Sequence, residues 1–191
     1  EANPPEAVSL ELSSFQLETI RTFRPDVAVW LNFSPDHMDR YRSVDEYREA
    51  KLRIFKNQRE DDAAVVRFGE EVGKVSASRI SFSATESDAD YALHGSEILC
   101  QGAKILDLGE TRLRGLHNAE NVMAALAAVE AVNIMPKAAL AGLEEYAPPL
   151  HRCELVRTLD GVEYINDSKA TNLHALEAAI RSQSRPTVLI A

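Results

Sequence analysis

Apolar and polar positions along this chain fall into two rhythms. Continuous apolar runs bounded by turn residues predict strands at residues 7–12, 27–31, 63–68 and 80–83. Between them, positions recur at helical spacing. Ser13 or Ser14 can cap a helix running to about residue 22. A second helix is predicted over 44–57, with Ser43 as its N-cap and Glu46 completing a capping box. Strands alternating with helices in this way predict an α/β fold, a mostly parallel sheet flanked by crossover helices.

The rhythm changes at residues 91–113. Two or three short strands joined by Gly95, Gln101-Gly102 and Gly109 predict a small antiparallel addition. An Ala-rich helix follows over 118–132, then a shorter one over 136–146. Ala147-Pro148-Pro149 is the best linker in the chain. Beyond it, strands at 153–158 and 162–166 flank Asp160-Gly161, a strong hairpin signal. A helix over 173–182 and a strand over 186–191 close the pattern. This organisation predicts one domain over 1–147 and the beginning of a second α/β domain over 148–191. The last apolar run has no cap or polar tail, so a segment of a longer protein is expected.

Composition narrows the function classes. The chain has 191 residues, 45% of them hydrophobic, enough for a sizeable core. Its net charge of −9, with scattered Lys and Arg, argues against a nucleic-acid or anionic-membrane surface. Cys100 and Cys153 are far apart in sequence, which fits a reduced cytoplasmic protein better than a disulfide scaffold. No apolar run approaches the roughly 20 residues of a membrane span, and no secretion signal is seen.

Several polar groups sit where apolar strands end. Glu11 lies inside an apolar strand, where a carboxylate needs a cation or metal unless it faces water from an edge. Asn32, Asp36, His37 and Asp39 follow the second strand, although a single His is more often an ordinary surface residue. Lys51, by pattern alone, is a solvated helix lysine. Asn118 and Asn121 share a helical face, and Asn118 could simply be an N-cap. His151-Arg152 follows the Pro-Pro linker. Asp167, Lys169 and Thr171 gather where a strand gives way to a helix, the usual crevice position in an open α/β sheet. Each of these three could instead form a turn or a cap.

The run Asn166-Asp167-Ser168-Lys169-Ala170-Thr171-Asn172 resembles the start of the C-terminal domain of the Mur ligase family. Four further segments resemble the family in its order. They are Leu10 to Glu18, Asn32 to Arg40, the Lys51 helix and Gly115 to Asn121, and the pair His151-Arg152 resembles the family's hinge as well. The resemblance implies the family's central ATP-binding domain and the start of its C-terminal domain. It implies ATP and magnesium at two sites as cofactors. Glu11, His37 and Lys51 would be metal-associated, with Lys51 carbamylated, a reaction that burial of the amine favours.

The same resemblance implies further roles. Asn118, Asn121, Arg152 and Asp167 would contact the nucleotide. Ser13, Asn32, His151, Lys169 and Thr171 would lie on the substrate side, and Lys51, His37, Lys169 and Arg152 would be catalytic. The Leu-Ser-Ser-Phe-Gln-Leu run points to the branch joining D-glutamate to UDP-N-acetylmuramoyl-L-alanine through an acyl phosphate. A cytoplasmic monomer is expected for the full-length enzyme, with the isolated segment inactive. The family's P-loop pattern is not in the sequence. A sister ligase, a folylpolyglutamate synthetase, an inert nucleotide- or metal-binding module and a purely structural domain are the alternatives.

Overall fold

Ala63, Ala64, Val65 and Val66 are each at most 8% exposed. Four apolar residues in a row without polar alternation suit a strand covered on both faces. They form the body of β2 (Ala63–Arg67), flanked on one side by β1 (Val27–Trp30) and on the other by β3 (Ser78–Ser83). The computed structural model describes residues 7–111, 113, 115–134, 140–143, 146, 149–171, 173–181, 183 and 185–190. Beyond β3 the sheet continues through β4 (Tyr91–His94), β5 (Glu97–Cys100) and β6 (Ala103–Asp107). The first four strands are parallel and the last three antiparallel, so the expected antiparallel addition extends the main sheet.

Two apolar layers sandwich the parallel strands. On one face Val65, Phe82, Tyr91 and Ile98 pack under Ala119, Val122, Met123 and Leu126 of α3 (Leu116–Ala131). On the other, Ala28, Trp30, Ala64 and Val66 meet Phe55, Val72 and Ala77. The alternation of Val65 with Ala64 and Val66 is the period of two expected of a strand.

Crossover helices are fewer than the pattern predicts. Only β1 to β2 is bridged by helices, α1 (Ser14–Glu18) lying before β1 and α2 (Val44–Leu52) between the two strands. The connections β2 to β3 and β3 to β4 carry no helix. The second is pinned by Asp90, whose carboxylate accepts from Ser81 N–H at 2.7 Å and from Ser81 Oγ at 2.6 Å. These polar clamps replace the packing a crossover helix would supply.

Three other expectations need correction. Residues 7–12 are not a strand: they lack regular structure, with Val8 66% and Leu10 59% exposed. Residues 186–190 are likewise irregular and exposed. An apolar run becomes a strand only beside a partner that takes its backbone hydrogen bonds, and among the described residues neither run is paired. Helix α1 ends at Glu18 rather than near residue 22. Its downstream carbonyls are taken by other side chains: Arg53 donates to Leu17 O at 2.7 Å and Ile20 O at 2.9 Å, and Asn57 to Phe23 O at 2.8 Å.

The caps differ in detail too. Ser43 accepts from Glu46 N–H at 3.1 Å, but the Glu46 carboxylate reaches past the cap to Arg42 N–H at 2.8 Å. The complete capping box belongs to α1, between Ser13 and Gln16. Asn118 is not an N-cap, because α3 starts at Leu116 with Gly115 before it.

The hairpin forms where expected. β7 (Glu154–Leu159) and β8 (Val162–Asn166) make a separate antiparallel pair. Asp160 and Gly161 turn between them at φ of 49° and 78°, both in the left-handed region that a two-residue hairpin turn requires. Helix α4 (Leu173–Arg181) follows. Residues 140–143 are helical, while the rest of the predicted 136–146 helix, apart from Tyr146, and Pro148 lie outside the described residues.

Candidate active site

Strand β1 ends at Trp30, and the loop after it carries Asn32 and His37 to the C-terminal edge of the parallel strands. That edge is where an open α/β sheet leaves a crevice for ligands. Ser43 starts α2 in a phase that buries Tyr47 and Ala50, and Lys51 stands one turn after Tyr47. Tyr47, only 4% exposed, is the hub of the group. His37 meets its ring edge-on at 5.8 Å and 81°. The Lys51 ammonium lies 5.2 Å from the same ring centre. Phe33 and Tyr41 pack on it at 5.3 Å and 5.1 Å.

The structure thus places His37 and Lys51 each against the ring of Tyr47. Glu11 is on the exposed segment before α1. Among the described residues no three His, Cys, Asp or Glu side chains converge as a ready cation cage. His37 offers an exposed imidazole at this edge and Glu11 an exposed carboxylate on the segment before α1, and a hard divalent cation would take most of its ligands as oxygen atoms from water or substrate. Ser13 is engaged locally, its hydroxyl accepting from Gln16 N–H at 3.3 Å. Asn32 is exposed.

A second polar group assembles at the start of α3. Gly115 precedes the helix at φ 87°, a conformation that suits glycine. The helix then presents His117, Asn118 and Asn121 in its first turns. Arg67, the last residue of β2, pairs with Glu120 at 2.9 Å and ties this helix end to the same sheet edge. The charges of Arg152 and Asp167, in the segment after residue 149, are close enough to act on the His117 imidazole. Burial depresses the His117 pKa, the Arg152 cation depresses it further, and Asp167 and Glu120 oppose the shift.

The residues after the linker are knitted to the loop after β8. Asp167 accepts from Cys153 N–H at 2.9 Å, the His151 carbonyl accepts from Lys169 N–H at 3.1 Å, and the Asn166 amide meets the His151 ring at 2.9 Å. His151 and Cys153 hold φ of 65° and 47°. Burial, with the Asp167 charge next, pushes the Cys153 thiol up. Lys169 and Thr171 are exposed on this loop. Asn118 and Asn121 lie in the first turns of α3, and Asp167 is fixed to the backbone of Cys153.

Sequence reading missed Tyr47, Tyr41, Glu18 and His117. Their signals were Tyr47 four residues before Lys51 and His117 inside the Gly-x-His-Asn run. For Glu18 and Tyr41, 23 residues apart, no local pattern exists.

The Mur ligase middle domain family matches residues 1–129. The chain belongs to the Mur ligase family. A UDP-N-acetylmuramoylalanine–D-glutamate ligase of Pelobacter propionicus is 42% identical over 98% of the chain. One of Myxococcus xanthus is 43% identical over 97%. The chain spans 44% of the length of each. Among solved structures, MurF from Acinetobacter baumannii superposes with a TM-score of 0.67 at 18% identity, over 90% of this chain and 40% of that one. The UDP-N-acetylmuramate–alanine ligase MurC of Thermotoga maritima gives 0.63 at 20%, over 89% and 40%. These structural likenesses establish the Mur ligase fold for this chain.

Proposed function

We propose that this chain is the nucleotide- and metal-handling part of an ATP-dependent ligase that joins D-glutamate to UDP-N-acetylmuramoyl-L-alanine in cytoplasmic peptidoglycan synthesis. Identity above 40% to ligases of that name, over nearly the whole chain, carries the reading. The side-chain groups at the sheet edge support it. In this reading residues 1–147 belong to the central domain and 148–191 begin the C-terminal domain.

The alanine carboxylate is a poor electrophile. Transfer of the γ-phosphoryl group of ATP to one of its oxygens gives an acyl phosphate and ADP. The D-glutamate amine then attacks the carbonyl carbon, and the tetrahedral intermediate expels phosphate as the amine loses its proton. Arg152 and Lys169 neutralise charge on the phosphoryl group in flight. Asn118, Asn121 and Asp167 hold the nucleotide against α3. Ser13, Asn32, His151 and Thr171 face the substrate. Glu11 and His37 would hold magnesium, with Lys51 beside them as an ammonium or a carbamate; the metal would supply further neutralisation of phosphate charge. Movement about 148–152 would exclude water from the acyl phosphate.

Phosphate release by the full-length protein tests this directly, with UDP-N-acetylmuramoyl-L-alanine, ATP and magnesium present and several amino acids compared as acceptor. Release with D-glutamate alone is expected. Preference for another acceptor would move the assignment to a sister ligase, and no release with any would remove the ligase reading. The 191-residue chain alone is expected to release none. Lys51→Ala should lower turnover by about 100-fold or more, the scale of losing one charge-stabilising group. Added short carboxylates should restore part of it, and an unaltered rate would remove Lys51 from the machinery.

A further inference from the structure

The His37 imidazole is exposed, and among the described residues its contacts are ring contacts to Phe15 and Tyr47. Its position is therefore set by its backbone. That backbone is a left-handed turn, φ 57°, whose carbonyl accepts from Arg40 N–H at 3.0 Å and Tyr41 N–H at 3.1 Å. The two residues that close this turn also grip α1. Tyr41 donates its hydroxyl to Glu18 Oε1 at 2.5 Å, and Arg40 pairs with Glu18 Oε2 at 2.6 Å. One carboxylate thus takes both anchors, one on each oxygen.

Rings fill the space behind the carboxylate. Tyr41 stacks on Phe15 at 6.1 Å and 7°, the Arg40 guanidinium lies 5.1 Å from the Phe15 ring centre, and Phe15 touches His37 at 5.2 Å. The Ser13–Gln16 capping box fixes the phase of α1, so Phe15 and Glu18 meet the same loop.

We propose that Glu18 is a positioning residue, acting through Tyr41 and Arg40 to lock the turn that presents His37. The proposal rests on the functional reading of His37 given above. Charge-assisted hydrogen bonds are the strong class. Two of them on one helix-end carboxylate can hold a short exposed turn in a single geometry, where aromatic contact alone would let it slide.

The test uses the full-length ligase with Tyr41→Phe, Glu18→Gln, the double variant and His37→Ala. Tyr41→Phe keeps every ring contact and deletes one donor. Amide exchange at Arg40 and Tyr41 is read by NMR or mass spectrometry, and the magnesium concentration for half-activation is read separately from kcat at saturating metal. Each single variant should speed exchange at these amides about tenfold or more, the scale of a lost hydrogen bond to a charged group. Each should also raise the half-activating magnesium concentration more than it lowers kcat. The double variant should match the stronger single one, because both remove one clasp. Unchanged exchange in both singles, or effects that add in the double, would overturn the proposal even if Tm fell. His37→Ala separates the two claims. If it leaves magnesium dependence intact, the functional reading of His37 fails, and the positioning role with it. If it weakens that dependence while Tyr41→Phe does not, the clasp alone fails.

Discussion

At the scale of single residues, His117 is a probe of the segment that carries Arg152 and Asp167. Burial is the largest influence on its pKa and the Arg152 cation the next, both disfavouring the charged imidazole. The folded-state pKa therefore lies below the ordinary value of about 6.5. Below that ordinary value the unfolded chain binds more protons than the folded one, so stability falls as pH drops through it. The loss is complete only below the folded pKa. Arg152→Ala removes one of the two depressing influences and should move the His117 titration upward, as followed by the imidazole carbon-bound proton shifts. A titration unmoved by Arg152→Ala would mean that the guanidinium does not face this ring, and would weaken the nucleotide site drawn around both.

At the scale of elements, the start of α3 depends on one backbone conformation. Gly115 has φ 87° and ψ 156°, a region that is costly for any residue with a Cβ. Gly115→Ala should cost about 1–3 kcal/mol in urea unfolding and weaken nucleotide binding by displacing Asn118 and Asn121. A variant of wild-type stability would show that the chain can start this helix another way. The same element shows what sequence can and cannot reveal. The α3 helix was legible as an Ala-rich run, as were β1, β2 and the Asp160-Gly161 hairpin, because each is signalled by neighbours in sequence. Residues 7–12 misled because apolar character says that a run would profit from a partner, not that one lies beside it. The polar loop after β1 was legible in the sequence, whereas the contact of its Tyr41 with Glu18 was not. A hydrogen bond closing across 23 residues has no local signature and emerges only once α1 and the loop are placed together.

At the scale of the whole molecule, burial is unevenly distributed. The six-stranded sheet is covered on both faces around β2, but the β7–β8 hairpin leaves Leu155, Val156, Val162, Tyr164 and Ile165 each more than 40% exposed. A lone two-stranded hairpin is marginal in water. This one is held at its base by the bonds among His151, Cys153, Asp167 and Lys169, not by a core of its own. Tyr164 and Val162 point to one side of the hairpin and Ile165 with Leu155 to the other, and apolar side chains exposed in this way mark an interaction surface or an aggregation site. The chain spans 44% of its relatives' length, and on the domain reading proposed above the remainder of the second domain would cover these side chains. The 191-residue chain by itself should then bind the dye ANS and associate with rising concentration in light scattering, while the full-length ligase should do neither. Changing Val156 and Val162 to Thr should reduce both signals in the short chain without lowering the melting of the six-stranded sheet. A short chain that stays monomeric and binds no dye would show that the hairpin folds back on itself, and the boundary near residue 148 would have to be redrawn.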